Sequence, residues 1–199
     1  KQKKFLVAPC ICRKEHELKG GGCDKLMDAC LIFGWGADYY ERNGLGRVIT
    51  MEETLEILQK ADEEGLVLQP SNAQEIVNIC CCCGDCCQIL MHLKRHPSPA
   101  AMASAAFVAR IDIETCIGCE TCLERCQMEA LSMAEDHAVL NAERCIGCGL
   151  CVSTCPSGAL VLERKSHGAQ PEVPKNTMEA HALRLKARAK AKADLNDKL

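Results

Sequence analysis

Aromatic residues make up only 3% of this 199-residue chain: one Trp, two Tyr and three Phe. Large rings therefore contribute little to any core, and a chain of this size needs another source of cohesion. Also missing is any run of about 18 or more apolar residues, which excludes a membrane-spanning helix of ordinary hydropathy. No signal-peptide apolar stretch is visible, although the first residue is Lys1 and not Met, so an upstream segment removed or left out stays open. There is no G-x-G-x-x-G fingerprint, no phosphate-binding loop and no nucleophile motif. With a formal net charge of −3, the overall balance gives nucleic-acid binding no support.

What the chain has instead is cysteine, 18 of them. That density points to disulfides or to metal, and local spacing separates the two. Adjacent cysteines such as Cys80, Cys81, Cys82 and Cys83 suit a metal centre better than separate disulfides, which need particular Cβ separations. A soluble protein of a reducing compartment, the cytoplasm, is expected.

One pattern is written twice. C-x2-C-x2-C-x3-C occurs at Cys116, Cys119, Cys122 and Cys126, and again at Cys145, Cys148, Cys151 and Cys155. Flanking residues recur too: Glu114, Ile117, Gly118, Ala130 and Leu131 return as Glu143, Ile146, Gly147, Ala159 and Leu160. This is an internal duplication with iron–sulfur spacing; zinc sites favour C-x2-C knuckles set far apart. Glycine inside each loop is expected to let backbone N–H groups approach a cluster. Pro156 follows Cys155, whereas Gln127 follows Cys126, so the two sites are not equivalent.

The N-terminal half carries Cys10, Cys12, Cys23 and Cys30 around the triplet Gly20 to Gly22, which is either a tight turn towards an inorganic centre or a plain link. From Phe33 to Arg47 comes an aromatic and glycine-rich stretch, expected to pack as a core corner. Thr50 and Glu53 form a capping box, and Leu55, Leu58 and Ala61 make one apolar stripe of a helix ending at Gly65. Two short β-like runs, 66–68 and 76–79, follow, giving a helix and hairpin that resembles a winged-helix fragment. The second run leads into C-C-C-C-G-D-C-C at Cys80 to Cys87. His92 and His96 stand at i and i+4 on the next predicted helix, the spacing of a two-histidine zinc face, but Lys94 and Arg95 favour a solvated face. Residues 97–106 have linker composition, and strands are expected at 107–113 and 138–140. Beyond Ser166 the tail is predicted to be helical, with Arg184, Lys186, Arg188, Lys190 and Lys192 spread around it, either solvated or as a docking arm for an acidic partner.

Residues 107–163 resemble the bacterial two-[4Fe–4S] ferredoxin family through C-I-G-C-E-T-C-L-E-R-C and C-I-G-C-G-L-C-V-S-T-C-P. In two-cluster ferredoxins the last cysteine of each motif ligates the other cluster. The resemblance therefore implies one cluster on Cys116, Cys119, Cys122 and Cys155, and a second on Cys145, Cys148, Cys151 and Cys126. The rest of the chain, with P-C-I-C-R-K-E, G-G-G-C-D, G-A-D-Y-Y and the I-C-C-C-C-G-D-C-C run, is similar to a group of anaerobe 4Fe–4S proteins in which a cysteine-rich module precedes the ferredoxin part. In that group the run usually reads I-C-N-C-C-G-C-C-C, so Cys81 stands where asparagine is typical and Asp85 where cysteine is. Setting Cys81 aside leaves Cys10, Cys12, Cys23, Cys30, Cys80, Cys82, Cys83, Cys86 and Cys87 as ligands of one or two further clusters. Two clusters, using eight of these thiols, is the preferred reading, for four [4Fe–4S] clusters in total, with zinc in this module as the second reading.

The expected fold is α+β. A ferredoxin-like two-[4Fe–4S] domain with pseudo-twofold symmetry (107–165) is preceded by a small cysteine-rich module (1–96) and a linker (97–106), and followed by a basic helical tail (166–199). The expected function is passage of single electrons through several clusters to or from a redox partner protein or a larger anaerobic oxidoreductase, with no catalytic site of its own. The alternative is a redox-sensing regulator that uses the helix and hairpin to bind DNA or a partner. A third reading is an enzyme with an open iron site near Asp85. Oligomeric state is not readable.

Overall fold

The computed structural model describes the backbone of residues 4–196 and side chains up to residue 189, so Lys1 and the side chains of Lys190 and Lys192 lie outside the described residues. The order of elements is β1 (Phe5–Pro9), α1 (Ile11–Leu18), β2 (Asp28–Phe33), α2 (Trp35–Arg42), β3 (Arg47–Ile49), α3 (Met51–Glu63), β4 (Val67–Pro70) and β5 (Asn78–Cys82). There follow α4 (Gln88–Arg95), α5 (Pro99–Met102), β6 (Phe107–Ile111), α6 (Thr121–Arg125), β7 (Leu131–Ala134), β8 (His137–Leu140), α7 (Leu150–Ser153), β9 (Leu160–Arg164) and α8 (Thr177–Asn196). The chain is thus a mixed α/β protein.

The first five strands form one sheet in the order β3-β1-β2-β5-β4, with every pairing antiparallel. Successive side chains on a strand point to opposite faces, so each strand serves two cores. Val7, Leu31, Phe33 and Ile49 pack with Ile57 of α3 on one face, while Leu6, Ala8 and Ile32 pack with Ala37 of α2 on the other. The 66–79 hairpin is therefore the β4–β5 half of a larger sheet and not a free-standing wing.

Helix α3 starts where the capping pattern places it: Thr50 Oγ1 accepts the Glu53 N–H at 3.1 Å. The Glu53 carboxylate does not complete the box but pairs with Arg47 at 2.5 Å. Its buried face is Thr54, Ile57 and Ala61, with Leu58 partly buried. Leu55 is exposed, because the sheet meets the helix one position away from the stripe expected from hydropathy alone. The aromatic corner differs as well. Phe33 is buried, but Trp35 is 66% exposed and Tyr39 also faces solvent, since Gly34 turns the chain into α2, which sets Gly36, Ala37 and the partly buried Tyr40 towards the sheet.

In the C-terminal part β6 pairs with β9 and β7 with β8. Residues 97–106, read as a linker, contain α5, whose Pro99 is buried and whose Ala100 N–H bonds to the Glu143 carbonyl at 2.9 Å. The segment before α8 returns to the sheet end: Gln74 and Glu75 donate backbone N–H groups to Pro174 and Lys175 carbonyls.

Candidate metal centres

The duplicated motifs sit on loops that end in the short helices α6 and α7, and they line two cavities. Cys116, Cys119, Cys122 and Cys155 line one, flanked by Ile111, Ile117, Met133 and Leu160. Cys126, Cys145, Cys148 and Cys151 line the other, flanked by Met128, Leu140, Ile146 and Leu150. In each, three thiols come from one motif and the fourth from the last cysteine of the other. The donor chemistry fits a [4Fe–4S] cluster: four soft thiolate donors in an apolar enclosure that limits water. Burial pushes the Cys151 thiol up to about 12, so loss of its proton depends on metal binding.

The loop glycines meet a steric demand of the backbone. Gly118 has φ +63° and Gly147 φ +66°, and a Cβ on either would lie 2.4 Å from the Asp136 carbonyl oxygen or 2.2 Å from that of Phe107. They are required by a left-handed turn pressed against neighbouring backbone. Donors do reach the sulfurs elsewhere. The Ala130 N–H points at Cys126 Sγ (3.2 Å), and the Ser157 hydroxyl lies 3.7 Å from Cys155 Sγ. Burial works against a Cys155 thiolate, but Ser157 and the backbone N–H groups of Ala159 and Leu160 bring its pKa below the ordinary value.

In the N-terminal part, strand alternation sorts the thiols. Cys30 of β2 is directly opposite Cys80 of β5, so the two share a face, and Cys82 shares it two residues on. Cys10, Cys30, Cys80, Cys82 and Cys87 form a chain of thiol contacts in that order, and Cys12 lies beside Cys10, Cys80 and Cys87. Hydrogen bonds from neighbouring thiols hold Cys80, Cys10 and Cys87 below the ordinary thiol range, while Cys30 and Cys82, their partners, are pushed up. Asn78 Nδ2 reaches Cys80 Sγ at 3.4 Å, and Gln69 Nε2 reaches Cys87 Sγ at 3.7 Å.

Cys81 points to the opposite face and is fully buried with Ala29, Ala61 and Leu66, where burial pushes its thiol up to about 12. A second group lies past the end of β5. Cys23 Sγ is 3.7 Å from both Cys83 Sγ and Cys86 Sγ, and with Asp85 these ligand atoms all fall within 4.8 Å of one another. The nine thiols considered from sequence thus fall into a group of six and a group of three. Arg13 lies beneath the smaller group. It is 1% exposed, its Nη1 donates to Leu26 O (2.8 Å), its Nη2 donates to Cys81 O (3.2 Å), and its Nε has no partner. The sequence motif P-C-I-C-R contained this arginine, but nothing local marked it as buried.

His92 is exposed and His96 Nδ1 is taken up by Ser98, so the i, i+4 pair is not brought to any thiol group. The two cysteine-bearing parts touch directly. Gln127 Oε1 accepts the Gly84 N–H at 2.8 Å, Gln127 Nε2 donates to Gly65 O at 2.9 Å, and Arg125 donates to the Asp62 and Glu63 carbonyls at the end of α3. Among the described residues no helix is long and apolar enough to cross a membrane.

A search of curated proteins found no match to this chain. Residues 109–162 match the family model described as the 4Fe-4S dicluster domain, a match that supports iron–sulfur electron transfer, and this segment of the chain is a dicluster domain of the ferredoxin type.

Proposed function

We propose that the protein carries single electrons through a chain of [4Fe–4S] clusters to or from a larger anaerobic oxidoreductase in the cytoplasm, and has no catalytic site of its own. The observation that carries this reading is continuity: Cys80, Cys82 and Cys87 belong to the same packed core as Cys122, Cys126, Cys145 and Cys151. Sites so joined suit relay of charge within one body better than separate storage. The dicluster segment, with its two halves in the pseudo-twofold arrangement of its duplication, holds one cluster on Cys116, Cys119, Cys122 and Cys155 and another on Cys126, Cys145, Cys148 and Cys151. A third is held by four of the six thiols Cys10, Cys12, Cys30, Cys80, Cys82 and Cys87. The remaining three, Cys23, Cys83 and Cys86, stand too close together for a fourth. Bound clusters supply one-electron acceptance and release. The protein's part is to furnish thiolates, donate hydrogen bonds to them from Asn78, Gln69, Ala130 and Ser157, and enclose them in apolar side chains. Residues 1–96, 97–106, 107–165 and 166–199 serve as cysteine-rich module, connector, dicluster domain and basic tail.

Anaerobic purification with iron and acid-labile sulfide counting, followed by EPR redox titration, tests this. About twelve irons per chain are expected. About eight would confine iron to the dicluster segment and sink the three-cluster relay.

A further inference from the structure

We propose that Cys23, Cys83, Cys86 and Asp85 bind a single zinc ion, a site separate from the clusters and with a different task. Distance decides between one ion and a cluster. Cys23 Sγ lies 3.7 Å from both Cys83 Sγ and Cys86 Sγ, and with the Asp85 carboxylate all four ligand atoms fall within 4.8 Å of one another. Tetrahedral bonds of about 2.3 Å from one ion to thiolate place neighbouring sulfurs about 3.8 Å apart. A cubane seats its thiolates on four separate irons and so spreads them more widely. Chain spacing agrees, because Cys83 and Cys86 form a C-x2-C knuckle and Cys23 comes from a distant loop. Zinc imposes no geometry of its own and takes carboxylate oxygen beside thiolate in a four-coordinate site.

A second, independent observation is Arg13. A guanidinium at 1% exposure needs a counter-charge, since an unpaired buried cation is strongly disfavoured. Among the described residues no carboxylate pairs with it. Its two recorded bonds go to neutral carbonyls, its Nε is unpartnered, and the groups beside it that can become anions are Cys23, Cys83 and Cys10. Neutral thiols would leave that charge uncompensated. Three thiolates and a carboxylate around a divalent ion keep a net negative charge, which Arg13 balances from beneath.

The donors are also held in place. Backbone N–H groups of Lys25 and Cys86 point at the sulfurs of Cys23 and Cys83. Gly84, inside the knuckle, donates its N–H to Gln127 Oε1, and a Cβ at Gly84 would lie 2.7 Å from that oxygen. Cys83 and Cys86 are buried while Asp85 is exposed, so the carboxylate closes the site on its solvent side. On binding, the thiols become thiolates and their protons go to solvent. Cys23 and Cys83 are 60 residues apart in the chain, so one ion fastens the Cys23 loop to the end of β5 and, through Gly84 and Gln127, to the dicluster segment.

The test uses the full chain, purified anaerobically, as wild type, Asp85→Cys and Cys23→Ser. Zinc and iron are counted separately, and X-ray absorption at the zinc edge reads the ligands of zinc alone. Wild type is expected to hold about one zinc beside about twelve irons, with about three sulfurs at about 2.3 Å and one oxygen at about 2.0 Å from the zinc. Asp85→Cys should keep the zinc and raise the sulfur number to about four, whereas Cys23→Ser should lower zinc content at least about tenfold. Less than about a tenth of a zinc per chain in wild type, iron in its place, or four sulfurs around the wild-type zinc would overturn the assignment. An unchanged zinc spectrum in Asp85→Cys would do the same, and the wild-type spectrum decides the donor set even where a variant does not fold. About eight irons with one three-sulfur zinc would sink the relay and leave this site, while about twelve irons without zinc would sink this site and leave the relay.

Discussion

Gln127, the residue after Cys126, clamps the Gly84 N–H to its Oε1 at 2.8 Å and the Gly65 carbonyl to its Nε2 at 2.9 Å. The same position in the second motif is Pro156, which has no such donor or acceptor. The departure from proline is therefore what joins the loop after Cys126 to the loop between Cys83 and Asp85. One side chain ties a dicluster cavity to the N-terminal thiol run.

Replacing Gln127 with proline should break that joint. Two partly buried backbone groups would lose their partners, at a cost of about 1–3 kcal/mol for each one left unsatisfied. Gln127→Glu keeps the acceptor for Gly84 and loses the donor to Gly65, so its effect should be smaller. Guanidinium denaturation of the anaerobic holo-protein checks both; unchanged midpoints in the two variants would show the clamp to be incidental.

Gly118→Ala and Gly147→Ala should each empty one dicluster cavity. Their Cβ atoms would lie 2.4 and 2.2 Å from backbone oxygens, and the left-handed conformation adds about 1–2 kcal/mol. Iron content is expected to fall by about four per chain in either variant. Gly158→Ala is the control, because it shares the positive φ but meets nothing within 4 Å. Equal iron loss in all three would mean that strain, and not contact, decides.

The eight cysteines of the duplicated motifs were legible in sequence because their spacing is local: a loop that offers three thiols at two-residue intervals carries its geometry with it. The cap of α3 was legible for the same reason. The division of the N-terminal thiols was not. It depends on Cys30 lying opposite Cys80 across two strands far apart in the chain, and on α3 covering the face that receives Cys81. Arg13 was visible only as a letter of P-C-I-C-R, since its burial comes from Leu26 and Cys81 closing over it. Gln127 was visible as an anomaly, but its partners are distant residues that no local pattern names.

The two dicluster sites should titrate separately. Cys126 Sγ receives a backbone N–H from Ala130, while Cys155 Sγ is approached by the Ser157 hydroxyl. Hydrogen bonds to cluster sulfur favour the reduced, more negative state and raise its potential. Ser157→Ala is expected to lower the potential of the Cys116, Cys119, Cys122 and Cys155 site and leave its neighbour in place. An EPR-monitored titration showing one common potential, unmoved by the substitution, would rule this out.

Arg13→Met and Arg13→Lys separate charge from shape at the buried cation. Burial disfavours the guanidinium charge, yet the thiols of Cys23, Cys83 and Cys10 hold its pKa above the ordinary value, so the stabilisation runs both ways between cation and thiolates. Removing the charge makes each added electron costlier at the adjacent site that includes Cys10, and its potential should fall by about 60 mV for every ~1.4 kcal/mol of lost attraction. Lysine keeps the charge but not the two-pronged bonding to Leu26 and Cys81, so it should restore most of the potential and less of the stability. Spectroelectrochemical titration alongside thermal unfolding reads the two effects apart. If methionine shifts stability alone, with every potential unchanged, Arg13 supports the fold and not the charge of the site.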